Sequence, residues 1–375
     1  MARIVFLDRI PWDYRVDTPG LRPLGGSQSA LCYLAQALAE LGHEVETVTH
    51  TSQPGRIDGV LCRSAPKTGF EVFHQADAVV VLNDPDLAVA RAIRAAVGPK
   101  GLVLLWTQHD TDQPAMAPFA DPDVRAAWDK VVLVSEWQRQ AYGRSFGLAL
   151  EKGVVLANAV APAFARIFAE GEDVLAAKSG PPVLAYTSTP FRGLDVLLQA
   201  FPLIRRRRPE ARLLVHSSLG VYQVARSDDA YLGLYERAAA MPGVDYAGSV
   251  PQPALAAALR RTLCFAYPST FPETFCISAL EAMAAGCLAV LGDLGALSET
   301  TLGLAELVEP DPDPEVYAER FADRLVQVLE SADADPKALA RRLEGQVRHL
   351  SERATWPKRA AEWSRWIAAE RAARA

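Results

Sequence analysis

Two glutamates, Glu273 and Glu281, stand eight residues apart in a stretch whose character changes between them. Leu263 to Tyr267 is a β-type apolar run that stops at Pro268. A loop carrying Glu273 follows, and then a helical run from about Cys276 to Ala285 that ends at Gly286. The first carboxylate therefore sits at the mouth of a helix and the second about two turns along it. Two carboxylates so spaced can hold two separate hydroxyl-bearing groups. The helix N-terminus between them offers free N–H groups and a positive dipole end to a phosphate. A ligand made of a sugar, a diphosphate and a ribose has that layout.

Three further places carry usable chemistry. Gly25-Gly26-Ser27-Gln28-Ser29 precedes an amphipathic run, Ser29 to Leu41, that Gly42 closes. Paired glycines permit positive φ and a close backbone approach to a phosphate or sugar; otherwise Ser27 or Ser29 serves as an N-cap. Arg192-Gly193 follows the strand-like Val183 to Tyr186, at a strand-to-helix turn where a guanidinium can pair with a diphosphate and offset leaving-group charge. His109-Asp110 lies just past the apolar run Leu102 to Trp106, at a strand end that a ligand could reach. There is no Gly-x-Gly-x-x-Gly and no Walker-type lysine, so neither a nicotinamide site nor an NTPase is indicated.

These residues must be positioned by two sets of strands. The first comprises Ile4 to Leu7, Ala78 to Leu82, Leu102 to Trp106 and Val131 to Val134. The second comprises Val183 to Tyr186, Leu213 to Val215, Leu263 to Tyr267 and Leu288 to Leu291. Helical runs alternate with them, which implies parallel sheets flanked by helices. One such run, Leu194 to Arg207, contains Pro202, where a kink or break is expected. The boundary between the two sets falls in Ala157 to Pro182, rich in proline and glycine. The expected fold is α/β, with two Rossmann-like domains facing across a cleft and ligand at the carboxyl ends of the strands.

At 375 residues the chain is long for one core, which also favours two domains. Hydrophobic content of 50% and charged content of 22% describe a soluble globular protein, and a net charge of -6 argues against nucleic-acid binding. The start, Met1 to Asp8, reads as a first strand rather than a signal peptide, and no apolar run has the length of a membrane span. The five cysteines are scattered without Cys-x-x-Cys spacing, which fits buried thiols in a reducing, cytoplasmic setting. Asp-x-Asp pairs occur at Asp84/Asp86, Asp110/Asp112, Asp121/Asp123 and Asp311/Asp313, as chance allows in an acidic chain. No His/Cys/Asp cluster has metal-ligand spacing, so no metal site is expected.

The Glu-x7-Glu element, the following Ala282-Met283-Ala284-Ala285-Gly286 and the later Gly295-Ala296-Leu297-Ser298-Glu299 resemble the donor-site signature of retaining family-4 glycosyltransferases with the GT-B fold. The resemblance runs from the glycine pair to the final helical segment. It implies an N-terminal acceptor-side domain over 1–160, a nucleotide-sugar-binding domain over 161–355, and a helix over about 356–375, with Trp363 and Trp366, returning to the first domain. It implies transfer of a hexosyl unit from a nucleotide diphosphate sugar, UDP or GDP linked, to a hydroxyl on a glycan, lipid-linked or small-molecule acceptor, without a metal. Glu273 would hold the sugar hydroxyls and Glu281 the ribose. Arg192, Gly25, Gly26 and the turn Thr274, Phe275 and Cys276 would meet the diphosphate, His109 would touch the sugar, and Glu299 would lie near the sugar or phosphate. Base recognition would fall around Gly248-Ser249-Val250.

The chain departs from that pattern in places. The family has a second basic residue some five positions before Arg192, where this chain has Tyr186 and Thr187; Ser188 or Thr189 could substitute with neutral hydrogen bonds. Asn158 stands in Ala157-Asn158-Ala159 where the family has Pro-Asn-Gly, and is given a structural role; Ser135-Glu136-Trp137 resembles a serine-rich turn facing the cleft. Arg205 to Arg208 reads as a solvated helix end, with peripheral membrane contact as the other reading, since many relatives use lipid-linked acceptors. A related phosphorylase, synthase or epimerase would share the architecture, and so would a silent nucleotide-sugar-binding protein.

Overall fold

The computed structural model describes residues 1–374 and divides the chain into two compact units. The first comprises Met1–Pro19, Gly25–Ala159 and the residues from Trp356 on; the second comprises Gly20–Leu24 and Val160–Thr355.

The first unit is built on eight strands: β1 (Arg3–Leu7), β2 (Glu44–Thr49), β3 (Gly55–Ile57), β4 (Val60–Ser64), β5 (Ala78–Leu82), β6 (Leu102–Trp106), β7 (Lys130–Leu133) and β8 (Gly153–Val155). Their order is β3-β4-β2-β1-β5-β6-β7-β8, parallel except for the β3–β4 pair. The central strands are continuous runs of buried Val, Leu and Ile, as a parallel sheet covered on both faces requires. Strand β2 escapes a search for apolar runs because Glu46, Thr47 and Thr49 interrupt it. All three are nonetheless buried, Glu46 accepting from Arg3 Nη2 at 2.6 Å and from Arg63.

One face of this sheet is closed by the Trp356–Ala372 helix, which packs on the Gly26–Glu40 helix. Trp363 meets Trp106 edge to face at 5.2 Å between ring centroids, and Trp356 lies 6.2 Å from Tyr33. Polar ties flank these rings: His43 Nε2 to Ser364 Oγ at 2.8 Å, and Lys130 to Glu370 at 3.3 Å. The helix thus belongs to the core of the first unit.

The second unit has six parallel strands: β9 (Val183–Tyr186), β10 (Arg212–Val215), β11 (Val244–Tyr246), β12 (Cys264–Tyr267), β13 (Leu288–Gly292) and β14 (Glu306–Val308), in the order β11-β10-β9-β12-β13-β14. The Leu194–Arg207 helix runs unbroken through Pro202, so the break that the proline could have made does not occur. Burial explains this: Leu194, Leu197, Leu198, Phe201 and Ile204 are all buried while Pro202 is exposed, so packing on both sides carries the helix past the lost hydrogen bond.

The helix that bears Glu281, Ile277–Ala284, is anchored at its carboxyl end. Gly286 turns the chain at φ 73°. Gln346 donates to the carbonyls of Met283 and Cys287 at 2.8 and 2.9 Å. The buried Lys178 ammonium donates to three carbonyls, Arg260 at 3.1 Å and Thr262 and Ala285 at 2.8 Å. Its charge sits where helix carbonyls end, and burial lowers its pKa.

The arginine run ending the Leu194–Arg207 helix is largely committed within this unit. Arg205 donates to the Pro209 and Pro242 carbonyls, Arg207 pairs with Asp323 and Glu330, and Arg208 pairs with Glu210 and Asp333. No helix among the described residues is long and apolar enough to cross a membrane.

Candidate functional site

In a parallel α/β sheet, ligands gather beyond the carboxyl ends of the strands where the strand order reverses. In the second unit that point lies between β9 and β12. Three turns meet there, after β9 (Thr187 to Gly193), after β12 (Pro268 to Cys276) and after β13 (Asp293 to Ala296).

Two glycines allow the turns to touch. Gly193 has φ 111°, and a Cβ there would lie 2.0 Å from the Pro268 carbonyl oxygen. Gly295 has φ 67°; a Cβ there would lie 2.4 Å from the Glu273 carbonyl oxygen and 2.5 Å from its nitrogen. The Gly295 backbone bridges to Glu273, and Ala296 N–H donates to Glu273 O at 2.6 Å. The contact explains why Gly295 follows the Glu-x7-Glu element: it fixes the backbone of the first glutamate. Gly295→Ala should cost about 2–3 kcal/mol, from a left-handed φ and a backbone clash. Chemical denaturation checks this, and a loss below 0.5 kcal/mol would mean that the two turns move apart freely.

Glu273, only 4% exposed, is held by two partners. Arg192 Nη1 lies 2.8 Å from each carboxylate oxygen, and the Tyr267 hydroxyl donates to Oε1 at 2.5 Å. The guanidinium stands over the Phe271 ring, 4.3 Å from its centroid. Burial alone would lower the Arg192 pKa, but Glu273, with Tyr222 and Tyr267, raises it well above the ordinary value and keeps the group charged. Tyr267 stays protonated because burial, and next the Glu273 charge, raise its pKa far above the ordinary value. Arg192 and Glu273, which the sequence places far apart, form one ion pair.

At the position of the missing basic residue, Tyr186 is fully buried and its hydroxyl donates to the Thr189 carbonyl at 2.7 Å, so it does not face a ligand. Nearby Thr187 Oγ1, Thr189 Oγ1 and Arg192 Nε are buried and have no hydrogen-bond partner among the described residues. Buried polar atoms ordinarily find partners, so three unused groups at one strand end describe a place for an acceptor-rich ligand.

The rest of the Glu-x7-Glu turn is compact. Thr274 is buried and Phe275 half-buried. Cys276 caps the Ile277–Ala284 helix with its thiol buried beside Ser278 Oγ, and burial, then Glu273, push its pKa up to about 12. It is an inert thiol under ordinary conditions. Glu281, 2% exposed, accepts from Ala161 N–H at 3.2 Å and from the Gln252 side chain, with its pKa raised to about 8 by burial. Glu299 is exposed, in the short Leu297–Thr300 helix.

The remaining candidates belong to the first unit. Its strand order reverses between β1 and β5. Beyond β1, the buried Asp8 carboxylate accepts from Tyr14 Oη at 2.7 Å and Gln28 Nε2 at 3.0 Å. Gln28 lies in the first turn of the Gly26–Glu40 helix, so Asp8 ties the glycine pair to the sheet. That helix begins three residues before the expected Ser29. Gly25 is its N-cap with φ −59° and ψ 150°, and neither glycine has positive φ. The expected positive φ is thus absent at both glycines, and the pair supplies instead a helix start without bulky side chains.

His109 follows β6, half-buried, with its backbone carbonyl accepting from Gln138 Nε2 at 2.8 Å and Tyr142 Oη at 2.9 Å. Neither anchor was found in the sequence, although Gln138 stands three residues after Ser135, a recognisable N-cap. Ser135 Oγ accepts from Gln138 N–H at 3.0 Å and caps the Glu136–Phe146 helix, which gives that serine a structural task. Asp110 is buried and bonded to Thr111 N–H at 2.7 Å. Asn158 donates to Gln108 Oε1 at 2.9 Å, and its carbonyl accepts from Arg359 of the Trp356–Ala372 helix.

The paired aspartates have local partners. Asp86, Asp121 and Asp313 cap helices, and Asp84 and Asp86 bind Arg9 at 3.0 and 3.1 Å. Among the described residues no group of three or more His, Cys, Asp or Glu side chains is placed to hold a metal ion.

Comparison with known proteins gives concordant results. Residues 181–331 match the family described as glycosyl transferases group 1. A phosphatidyl-myo-inositol mannosyltransferase of Mycobacterium tuberculosis (strain CDC 1551 / Oshkosh) is 28% identical over 357 residues, covering 85% of this chain and 86% of that one. Its counterpart in Mycolicibacterium smegmatis is 28% identical over 383 residues, covering 91% and 87%. Among solved structures, sucrose-phosphate synthase from Thermosynechococcus elongatus superposes with a TM-score of 0.68 at 18% identity, covering 100% of both chains. Anabaena HepE in complex with UDP and glucose does so with a TM-score of 0.67 at 14% identity, covering 98% of this chain and 100% of that one. At such identities the superpositions speak for the fold.

Proposed function

We propose that the chain is a group 1 glycosyltransferase of the GT-B fold, and that it is a retaining hexosyltransferase that needs no metal. Its donor is a nucleotide diphosphate sugar and its acceptor a hydroxyl group. The observation that carries this reading is the arrangement at the β9/β12 reversal: a guanidinium and two threonine hydroxyls with unused hydrogen-bonding atoms, beside a carboxylate held by Tyr267.

The division of labour follows from charge. Arg192, Thr187 and Thr189 take phosphate oxygens, and the N-terminal turn Thr274 to Cys276 adds backbone N–H groups and a positive dipole end. Glu273, released from Arg192, takes sugar hydroxyls, while Tyr267 keeps it oriented. Glu281 takes the ribose hydroxyls. His109 takes the sugar, Gly25 and Gly26 take the diphosphate, and Glu299 is assigned to the sugar-phosphate end.

Chemically, the bond between the anomeric carbon and the donor phosphate oxygen breaks, and the acceptor oxygen bonds to that carbon on the same face. The acceptor proton passes to the departing phosphate oxygen. The products are a glycoside and a nucleoside diphosphate, whose developing charge Arg192 and the threonines offset. No covalent sugar–protein intermediate is invoked.

The relatives' name makes mannose the first donor sugar to try and a phosphatidyl-inositol lipid the first acceptor. The test is calorimetry with UDP, GDP, ADP and their sugars in EDTA, on the wild type and Glu281→Ala. Tight binding of one nucleotide, weakened about ten-fold or more by losing a charge-assisted hydrogen bond, is expected. A folded protein that binds none of them, or binds only when Mg²⁺ or Mn²⁺ is restored, overturns the metal-free donor site.

A further inference from the structure

Beyond β9, on the side away from β12, the sheet continues to β10 and then β11. The loops that leave these strands are laced together. His216 Nδ1 lies 3.1 Å from the Gly248 carbonyl, Ser218 and Ser249 hydroxyls are 2.7 Å apart, and Tyr246 Oη donates to the Ser217 carbonyl at 2.8 Å. A carbonyl oxygen only accepts, so Nδ1 of His216 carries the hydrogen and Nε2 presents its lone pair. Burial lowers the His216 pKa and keeps the ring neutral. That Nε2 is buried and has no partner among the described residues.

A second acceptor lies in the following turn. Gln252 gives its amide N–H to Glu281, which leaves Oε1 as an acceptor, also buried and without a partner among the described residues. The neighbouring Ser217 Oγ is likewise unused. The polar character thus reverses along the edge of one sheet. At β9 the unused atoms include a guanidinium N–H and two hydroxyls, suited to phosphate. At β10 and β11 they are acceptors at His216 and Gln252, which would repel phosphate oxygens.

We propose that His216 is a specificity-determining residue for the donor nucleotide, its Nε2 accepting the ring N–H of the base, with Gln252 Oε1 as a companion acceptor. The proposal rests on the donor-site reading above and adds the base to it. With phosphate at β9 and ribose on Glu281, which is bonded to Gln252, the base falls toward β10 and β11. Uracil and guanine carry a ring N–H on their pairing edge, whereas cytosine and adenine place a ring acceptor there. An acceptor facing an acceptor leaves both unsatisfied, and such mismatches discriminate strongly. His216 therefore selects a uracil or guanine nucleotide against cytosine and adenine ones.

The test is equilibrium binding of UDP, GDP, CDP, ADP and inorganic pyrophosphate to the wild type and to His216→Phe, which keeps a ring and removes the acceptor. The wild type should bind UDP or GDP at least ten-fold more tightly than CDP and ADP. His216→Phe should lose roughly ten-fold or more for the preferred nucleotide, the worth of one buried hydrogen bond, and keep its affinity for CDP, ADP and pyrophosphate. A measurement on the wild type alone gives the same answer: methylation of the ring nitrogen of the preferred nucleotide should cost a similar factor.

Unchanged selectivity in the variant, or full affinity for the methylated nucleotide, overturns the role of His216 and leaves the donor site standing. Equal weakening of every ligand, pyrophosphate included, reduces His216 to a loop brace. A wild type that binds pyrophosphate but no nucleotide overturns the donor-site reading, and this inference with it.

Discussion

Arg192→Ala should lower kcat/KM for sugar transfer by about 10²- to 10³-fold, the range found when one preorganised donor to a developing oxyanion is removed. The same change strands the Glu273 carboxylate, 4% exposed, with the Tyr267 hydroxyl still donating to it. Removing one member of a buried pair costs about 3–5 kcal/mol, so activity and stability must be read together. Arg192→Ala with Glu273→Gln relieves the stranded charge; it should recover much of the stability and none of the activity. Arg192→Lys keeps the charge but not the two-point geometry and should fall between. Steady-state kinetics with parallel melting curves decide the matter. A folded Arg192→Ala protein within two-fold of wild-type kcat/KM would remove Arg192 from the reaction.

Glu281→Gln should abolish a pH dependence of stability that the wild type shows across neutrality. The folded-state pKa of Glu281 is about 8, against an ordinary value of 4.5. Above 4.5 the unfolded chain releases this proton, while the folded protein holds it until about 8. Stability is therefore greatest at the acid end of that window and falls as pH rises through it, by roughly 1.4 kcal/mol per pH unit or about 3–5 kcal/mol in all. Glutamine removes the titration while offering Ala161 N–H an oxygen acceptor. The difference in melting temperature between variant and wild type should be small near pH 5 and widen steadily to pH 8; parallel curves would mean that Glu281 is ionised throughout. Ribose hydroxyls donate to a carboxylate and favour its charged form. Nucleotide binding to the wild type near pH 7 should therefore release a proton, and binding to Glu281→Gln should not, as calorimetry in buffers of different ionisation enthalpy will report.

Much of this site is written locally and could be read that way. The apolar run of β12, the stop at Pro268 and the glycine at 286 fix a strand, a turn and a helix, and the Glu-x7-Glu spacing then sets both carboxylates. Arg192 before Gly193 is similarly local. What spacing does not encode is which groups meet after folding. Arg192 and Glu273 are 81 residues apart and become partners only because β9 and β12 are neighbours in the sheet. Tyr267 reads as one more apolar strand residue until its hydroxyl is found on Glu273. Gln138 and Tyr142 look like ordinary helix positions until the His109 carbonyl is seen between them. Pro202 shows the opposite failure, where a strong local signal was overruled by burial of the residues around it.

The Trp356–Ala372 helix also sets an order of assembly. A chain emerging from the ribosome presents all eight strands of the first unit early, but the indole that packs on Trp106 arrives only after the whole second unit has been made. The second unit is nearly contiguous, from Val160 to Thr355, and can close as soon as it is out. The half that is translated first is thus the half that is finished last, and until then it carries an uncovered aromatic face into a crowded cell. Proteolytic clipping near Thr355 would act at a distance in sequence, loosening the β1–β8 sheet while sparing the strands that hold Glu273 and Arg192.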